Sequence, residues 1–405
     1  MFRISHYLHA LHNPDAPVRA GKPAAPVVIW NLVRRCNLTC KHCYSISADV
    51  DFPGELDTAE VFSVMDDLRA FQVPVLILSG GEPLLRPDIF EISRRAKALG
   101  FYVGLSTNGT LIDTANIERI AAVGFDYVGI SIDGIRETHD RFRQKQGAFD
   151  ASLRAIRLCR DAGIKVGMRF TPTQDNAHEL PRILELMEAE DVDKLYVSHL
   201  NYAGRGNHNR RSDVVHQTTR RILDLLFDVC WADAQTGRRR EFVTGNNDAD
   251  GVYLLHWMRQ HHPQHCDSLR RQLEQWGGNA SGVNIANIDN LGNVHPDTFW
   301  WNYNLGNVRE RPFSEIWRDT SDPLMAGLKA SPRPLKGRCR VCRERATCGG
   351  NTRVRAFQLT GDPWWEDPAC YLDDEELGIT RAEYAADRPV PLELPVRVVR
   401  FREVG

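Results

Sequence analysis

The sequence predicts an α/β protein, an open (β/α)6 partial barrel followed by a smaller α+β unit. Three observations carry that expectation. Short β-branched runs alternate with amphipathic helical stretches through the first half of the chain, a hairpin pattern returns in the second half, and cysteines gather in two separate groups. A chain of 405 residues exceeds what one ordinary core serves, so one large domain and one smaller domain are expected.

The strands expected are Val27–Leu32, Pro74–Leu78, Phe101–Leu105, Tyr127–Ile132, Lys165–Phe170 and Lys194–Ser198. Each is an apolar or β-branched run short enough to be a buried strand. Between them the helical stretches are Thr58–Phe71, Pro87–Leu99, Asp113–Val123, Phe149–Ala162 and His178–Glu190. In the first, Val61, Val64, Met65 and Leu68 recur at helical spacing and make one apolar face, with Asp57 or Thr58 as N-cap. Strands alternating with helices predict parallel pairing through right-handed crossovers. Chemistry then belongs on the loops at the C-terminal ends of the strands. The organisation expected is an N-terminal segment 1–25, a barrel 26–210, a helical connecting region 211–280, the smaller unit 281–385 and a tail 386–405 marked by Pro389, Pro391 and Pro395.

Charge is nearly balanced, 51 basic against 53 acidic residues, so no overall basic field points to nucleic acid. No stretch of about 18 apolar residues is present to span a membrane, and the start lacks the apolar core of a secretory signal. Ten cysteines without an export signal favour metal ligation over disulfides and a cytoplasmic location.

The run Cys36-Asn-Leu-Thr-Cys40-Lys-His-Cys43-Tyr44 follows the first strand directly. Three thiolates on a four-iron cubane leave one iron open to a ligand, whereas zinc wants a fourth protein ligand nearby. The run resembles the signature of radical S-adenosylmethionine (SAM) enzymes. The resemblance implies a [4Fe–4S] cluster on Cys36, Cys40 and Cys43 that binds and reductively cleaves SAM, releasing a 5′-deoxyadenosyl radical. After the second strand comes Ser79-Gly80-Gly81-Glu82-Pro83, similar to the family's GGEP motif for the amino group of SAM. Thr107 and Asn108 after the third strand, and Ser131 and Asp133 after the fourth, are short polar groups suited to ribose hydroxyls and the SAM carboxylate. Arg143, in a segment resembling the family's, and Arg169 on the fifth strand are candidates for carboxylates.

Near the C-terminus, Cys339, Cys342 and Cys348 have the spacing C-x2-C-x5-C, and Cys370 follows. Four thiols close a site, and the residues alone allow zinc or a [4Fe–4S] cluster. The stretch before them, a hairpin Val283–Ile288 and Gly292–His295 and then Leu305–Val308, resembles the SPASM/twitch extension of the family, which implies an auxiliary [4Fe–4S] cluster. The chain departs from the full pattern: Trp276–Gly282 holds no cysteine, Asp297 follows Pro296, and position 352 is Thr. An inner auxiliary cluster is therefore not expected. Cys159, Cys230 and Cys266 are expected to bind no metal.

The segments YAGRGNHNRR, PLKGRC and WWEDPACYLDD, with the hairpin, resemble the NirJ group of haem d1 biosynthesis. That implies an iron-containing tetrapyrrole of 12,18-didecarboxysiroheme type as substrate, radical attack on its propionates on the way to oxo groups, and a low-potential electron donor. Trp300, Trp301, Tyr303 and Phe299 are candidate walls for the macrocycle, with Arg205, Arg210 and Arg211 as a basic rim. The alternatives are a radical SAM/SPASM enzyme modifying a peptide or protein, and a related haem-pathway enzyme that removes side chains.

Overall fold

A computed structural model describes residues 1–12 and 25–392. Pro395 and the end of the expected tail lie outside the described residues. The six expected strands form as β1 (Val27–Asn31), β2 (Val75–Ser79), β3 (Tyr102–Thr107), β4 (Tyr127–Ser131), β5 (Val166–Phe170) and β6 (Lys194–Ser198). They pair in chain order and in parallel. The sheet extends beyond them at both edges. β7 (Glu241–Gly245) pairs parallel with β6, inside the region expected to be helical. At the other edge β8 (Ile285–Ile288) pairs parallel with β1, and β9 (Asn293–His295) and β10 (Gly306–Asn307) follow antiparallel. The expected hairpin is thus part of the barrel sheet, giving ten strands in all among the described residues.

Register places two chemically different faces on this sheet. Val28, Trp30, Leu76, Leu78, Val103, Leu105, Val128, Ile130, Met168 and Leu195 share one face and have no exposed surface. Helices cover that face, and each large side chain buried there contributes about 1.5–3 kcal/mol. In the helix Thr58–Ala70, Val61, Val64, Met65 and Leu68 are the buried residues, as the spacing requires. Its N-cap is Asp57, which accepts from Glu60 N at 2.8 Å while Glu60 accepts from Asp57 N at 2.8 Å.

The opposite face carries Asn31, Ser79, Ser106, Ser131, Arg169, Tyr196, Ser198 and Asn287. Gly167 and Gly245 leave room there for the rings of Tyr127 and Tyr196. A polar face of this kind, inside an otherwise apolar sheet, is where a ligand with polar groups can be held.

Helix Ile4–His12 packs on β7 and on the long helix His216–Thr236, with Phe2 bridging to Thr244. The C-terminal unit folds back on the barrel: helix Phe313–Arg318 packs against Thr58–Ala70. No helix among the described residues is long and apolar enough to cross a membrane.

Candidate active site

Chain pairing continues past the ends of β1 and β2 and places the three-cysteine loop beside the Gly80–Pro83 turn. Leu32 N donates to Ser79 O at 3.0 Å, Gly81 N to Val33 O at 2.6 Å, and Glu82 N to Arg35 O at 2.9 Å. A Cβ on Gly80 would lie 2.4 Å from Val33 O, and one on Gly81 2.2 Å from Arg35 O. These glycines are needed for the approach of two protein backbones, whatever ligand is bound. Cys36 and Cys40 are buried and packed with Leu38, and Cys43 is half-buried. Burial pushes the Cys36 thiol up to about 12 and raises Cys40 as well.

Glu82 has no exposed surface and accepts from Thr107 Oγ1 at 2.7 Å, Asn108 N at 2.8 Å and Leu84 N at 3.2 Å. A carboxylate has about four acceptor positions, so one remains for a cation. Burial holds its pKa above the ordinary value against those hydrogen bonds. Pro83 opens a short 3₁₀ turn, Pro83–Leu85, that Glu82 caps. Asn108 Nδ2 donates to Asn37 Oδ1 at 2.9 Å, which ties the end of β3 to the cysteine loop.

Arg143 and Asp133, both expected to face a ligand, pair with each other in a buried contact. Arg143 Nη1 also lies 3.5 Å from Cys40 Sγ, and its Nε hydrogen is buried without an acceptor. Asp133 accepts from Thr171 N at 2.7 Å, so β4 and β5 are joined under the arginine. Arg169 bonds Ser106 across the inner face and lies over the ring of Tyr196 at 5.3 Å. Ser131 is its register neighbour on β4.

The other four cysteines also converge. Cys339, Cys342, Cys348 and Cys370 line one cavity, with Arg338, Leu335, Val252 and Leu372 among its walls. Burial raises all four thiols, Cys342 to about 11 and Cys370 to about 12. Cys159 and Cys230 sit in the hydrophobic core.

Residues 30–187 match the model of the radical SAM superfamily. Over 380 residues the chain is 56% identical to the pre-heme d1 synthase of Dinoroseobacter shibae, covering 93% of this chain and 94% of that one. The chain belongs to the radical SAM superfamily, in the NirJ group. It is also 43% identical to the Fe-coproporphyrin III synthase of Methanosarcina barkeri, over 91% of this chain and 93% of that one. The crystal structure of Streptococcus suis SuiB bound to S-adenosylmethionine shares the fold, with a TM-score of 0.66 at 16% identity over 86% of this chain and 78% of that one.

Membership in the radical SAM superfamily implies a [4Fe–4S] cluster and SAM. The first site fits them: three thiols on one loop, a buried carboxylate with an acceptor position to spare, and an orphaned guanidinium N–H for a carboxylate.

The tetrapyrrole candidates separate on inspection. Trp301 and Phe299 pack edge-on against Tyr44, the residue after Cys43, with centroids 5.9 and 5.4 Å away. Trp300 is fully buried against Tyr303 and Phe357, so it belongs to the core of the C-terminal unit, and Tyr303 bonds Asp322. Arg210 and Arg211 lie on an exposed turn. Arg205, expected on the basic rim, instead donates its Nε and Nη1 to backbone carbonyls of the cysteine loop. His295 is held by Tyr303 O at 2.6 Å and Asp289 at 3.3 Å, and Asp297 bonds Ser281.

The sequence reading missed a buried chain of polar groups. His199, just past β6, meets Asp250 at 2.9 Å, and Asp250 accepts from Tyr371 OH at 2.8 Å, next to Cys370. A histidine directly after a strand end was the available signal. The polar turn Thr244–Asp250 serves the same junction, with Asn247 donating to Ala369 O at 2.9 Å.

Proposed function

We propose that this radical SAM haem-pathway enzyme takes hydrogen from the propionate side chains of an iron tetrapyrrole of 12,18-didecarboxysiroheme type, leading to their loss and replacement by oxo groups. The observation that carries the reading is the near full-length similarity, 56% identity, to a pre-heme d1 synthase. Cys36, Cys40 and Cys43 hold the SAM-binding cluster. A [4Fe–4S] cluster held there would supply the single electron for reductive cleavage of SAM.

Glu82 takes the SAM ammonium in its fourth acceptor position, and Gly80, Gly81 and Pro83 shape the turn that presents it. Arg143 offers Nε to the SAM carboxylate, with Asp133 fixing the guanidinium. Thr107, Asn108 and Ser131 line the ribose side, and Arg169 on the inner face receives a carboxylate of SAM or substrate. Trp301, Phe299 and Tyr44 form an apolar wall beside Cys43 that suits a flat macrocycle and keeps water from the radical.

Cys339, Cys342, Cys348 and Cys370 hold an auxiliary [4Fe–4S] cluster; four thiols around one cavity supply its full ligand set. The enzyme acts in the cytoplasm with a low-potential electron donor. A second reading, a related haem-pathway enzyme removing other side chains, draws support from the 43% identity to an Fe-coproporphyrin III synthase.

The test is anaerobic incubation of reconstituted protein with SAM, a low-potential reductant and didecarboxysiroheme, following 5′-deoxyadenosine and tetrapyrrole mass together. A mass change confined to the propionates supports the first reading, and a change at other side chains supports the second. Deoxyadenosine without any change in the tetrapyrrole removes both.

A further inference from the structure

We propose that Arg205 is a positioning residue for the three-cysteine loop, fastening its backbone to the end of β6 and leaving its Nη2 amino group for the cluster. The inference rests on the reading of Cys36, Cys40 and Cys43 as cluster ligands.

Arg205 reaches three points of the loop at once. Its backbone N donates to Cys43 O at 2.9 Å, its Nε to Cys40 O at 2.8 Å, and its Nη1 to Ser47 O at 2.9 Å. One turn further on, Asn209 Nδ2 donates to Lys41 O at 2.8 Å. Four carbonyls between positions 40 and 47 therefore accept from one short segment that follows β6. The remaining Nη2 of Arg205 is buried and has no acceptor.

The approach is as close as a backbone permits. Gly204 has φ +52°, and a Cβ there would lie 2.4 Å from Tyr44 O and 2.6 Å from Cys43 O. Any larger residue would push the clamp off the loop. The cysteine loop is long and irregular; apart from this segment, Arg34 donates to Ser45 O at 3.0 Å and Ile46 O at 3.4 Å, and Lys41 N donates to Phe142 O at 3.2 Å, so its thiols depend on outside groups for their relative placement.

Arginine suits both tasks. Its planar fork bonds two carbonyls in fixed geometry, which a lysine cannot reproduce. Its charge does not titrate away, and a cation with a free N–H beside an iron–sulfur centre favours the reduced state, because net charge and hydrogen bonds to sulfur set the potential.

The test uses full-length Arg205→Gln and Arg205→Lys. In the metal-free protein, amide hydrogen exchange over residues 36–48 should quicken about tenfold in Arg205→Gln and stay unchanged in the rest of the barrel. In the reconstituted protein, the EPR signal that SAM perturbs should titrate at a lower potential in Arg205→Gln, with part of the shift recovered in Arg205→Lys. A role confined to packing would not return potential with charge alone. Exchange and potential both as in the unsubstituted protein would overturn the proposal. Should Arg205→Gln fail to fold, Arg205→Lys carries the exchange measurement, since it too lacks the fork. If no SAM-sensitive signal appears in the unsubstituted protein, the cluster reading itself fails, a separate outcome from unchanged exchange.

Discussion

Arg355 and Asp367 face each other in a two-bonded pair with no exposed surface, Nε to Oδ1 at 2.9 Å and Nη2 to Oδ2 at 2.8 Å. Arg355 also donates to Leu200 O at 3.2 Å, just beyond β6, while Asp367 accepts from Thr352 N at 3.1 Å and Ala369 N at 2.9 Å. The pair thus joins the barrel's last loops to the chain that carries Cys370.

Removing one partner strands the other charge. Arg355→Met should lower stability by about 3–5 kcal/mol, because Asp367 would be left buried and unpaired. Arg355→Met with Asp367→Leu should cost less than the single change. Denaturant titration of the metal-free protein measures both, and a single variant as stable as the parent would contradict the assignment.

Glu82→Gln should weaken SAM binding by about ten- to a hundredfold, the range expected for one charge-assisted hydrogen bond. Equilibrium dialysis at several pH values adds a sign. Burial raises the Glu82 pKa, and a protonated carboxyl has lost the charge that holds the SAM ammonium. Binding should therefore fall on acidification from a higher pH than an ordinary glutamate near about 4.3 would give. For ligand-free stability the same shift has the opposite sense: the folded state binds the proton more tightly, so Glu82's contribution is full below the unfolded pKa and is lost as pH rises through the folded pKa. The Gln variant should lack this part of both dependences.

Cys342→Ala should remove the iron of one cluster and leave the EPR signal that SAM perturbs. Iron analysis and EPR on the anaerobically reconstituted variant check this. Deoxyadenosine formation should persist while tetrapyrrole conversion drops at least about tenfold, the arithmetic of roughly 1.4 kcal/mol lost at the transition state. Loss of the SAM-sensitive signal as well would mean that the two cysteine groups do not serve separate centres.

Trp301→Ala and Trp300→Ala should part company. The first should weaken tetrapyrrole binding by about two- to tenfold, a stacking contribution of roughly 0.5–1.5 kcal/mol, with SAM binding unchanged. The second, in the core, should cost about 3–5 kcal/mol of stability. Absorbance titration with the tetrapyrrole and denaturant unfolding distinguish them. Equal effects from both would remove Trp301 from the substrate wall.

The sequence by itself determined the six barrel strands, most of the helices between them, the two cysteine groups and the Gly80–Pro83 turn. Each is a local signal: a period of two or of 3.6 residues, or a fixed spacing along a few positions. Asp57 could be read as an N-cap because its partner Glu60 is three residues away. What tertiary structure alone decided are contacts between residues far apart in sequence. β7 was not legible because Glu241–Gly245 holds only Phe242 and Val243 as apolar strand formers, and its pairing with β6 and Phe2 makes it a strand. Arg143 and Asp133 were both assigned to ligand, and the fold spends each partly on the other. Arg205 reads as one basic residue in a polar turn until the chain brings it 2.8 Å from a carbonyl 165 positions earlier. His199, Asp250 and Tyr371 become one group only when three elements meet. Burial turns such polar residues into necessities: away from water each donor or acceptor needs a partner, and only the folded chain says which one it gets.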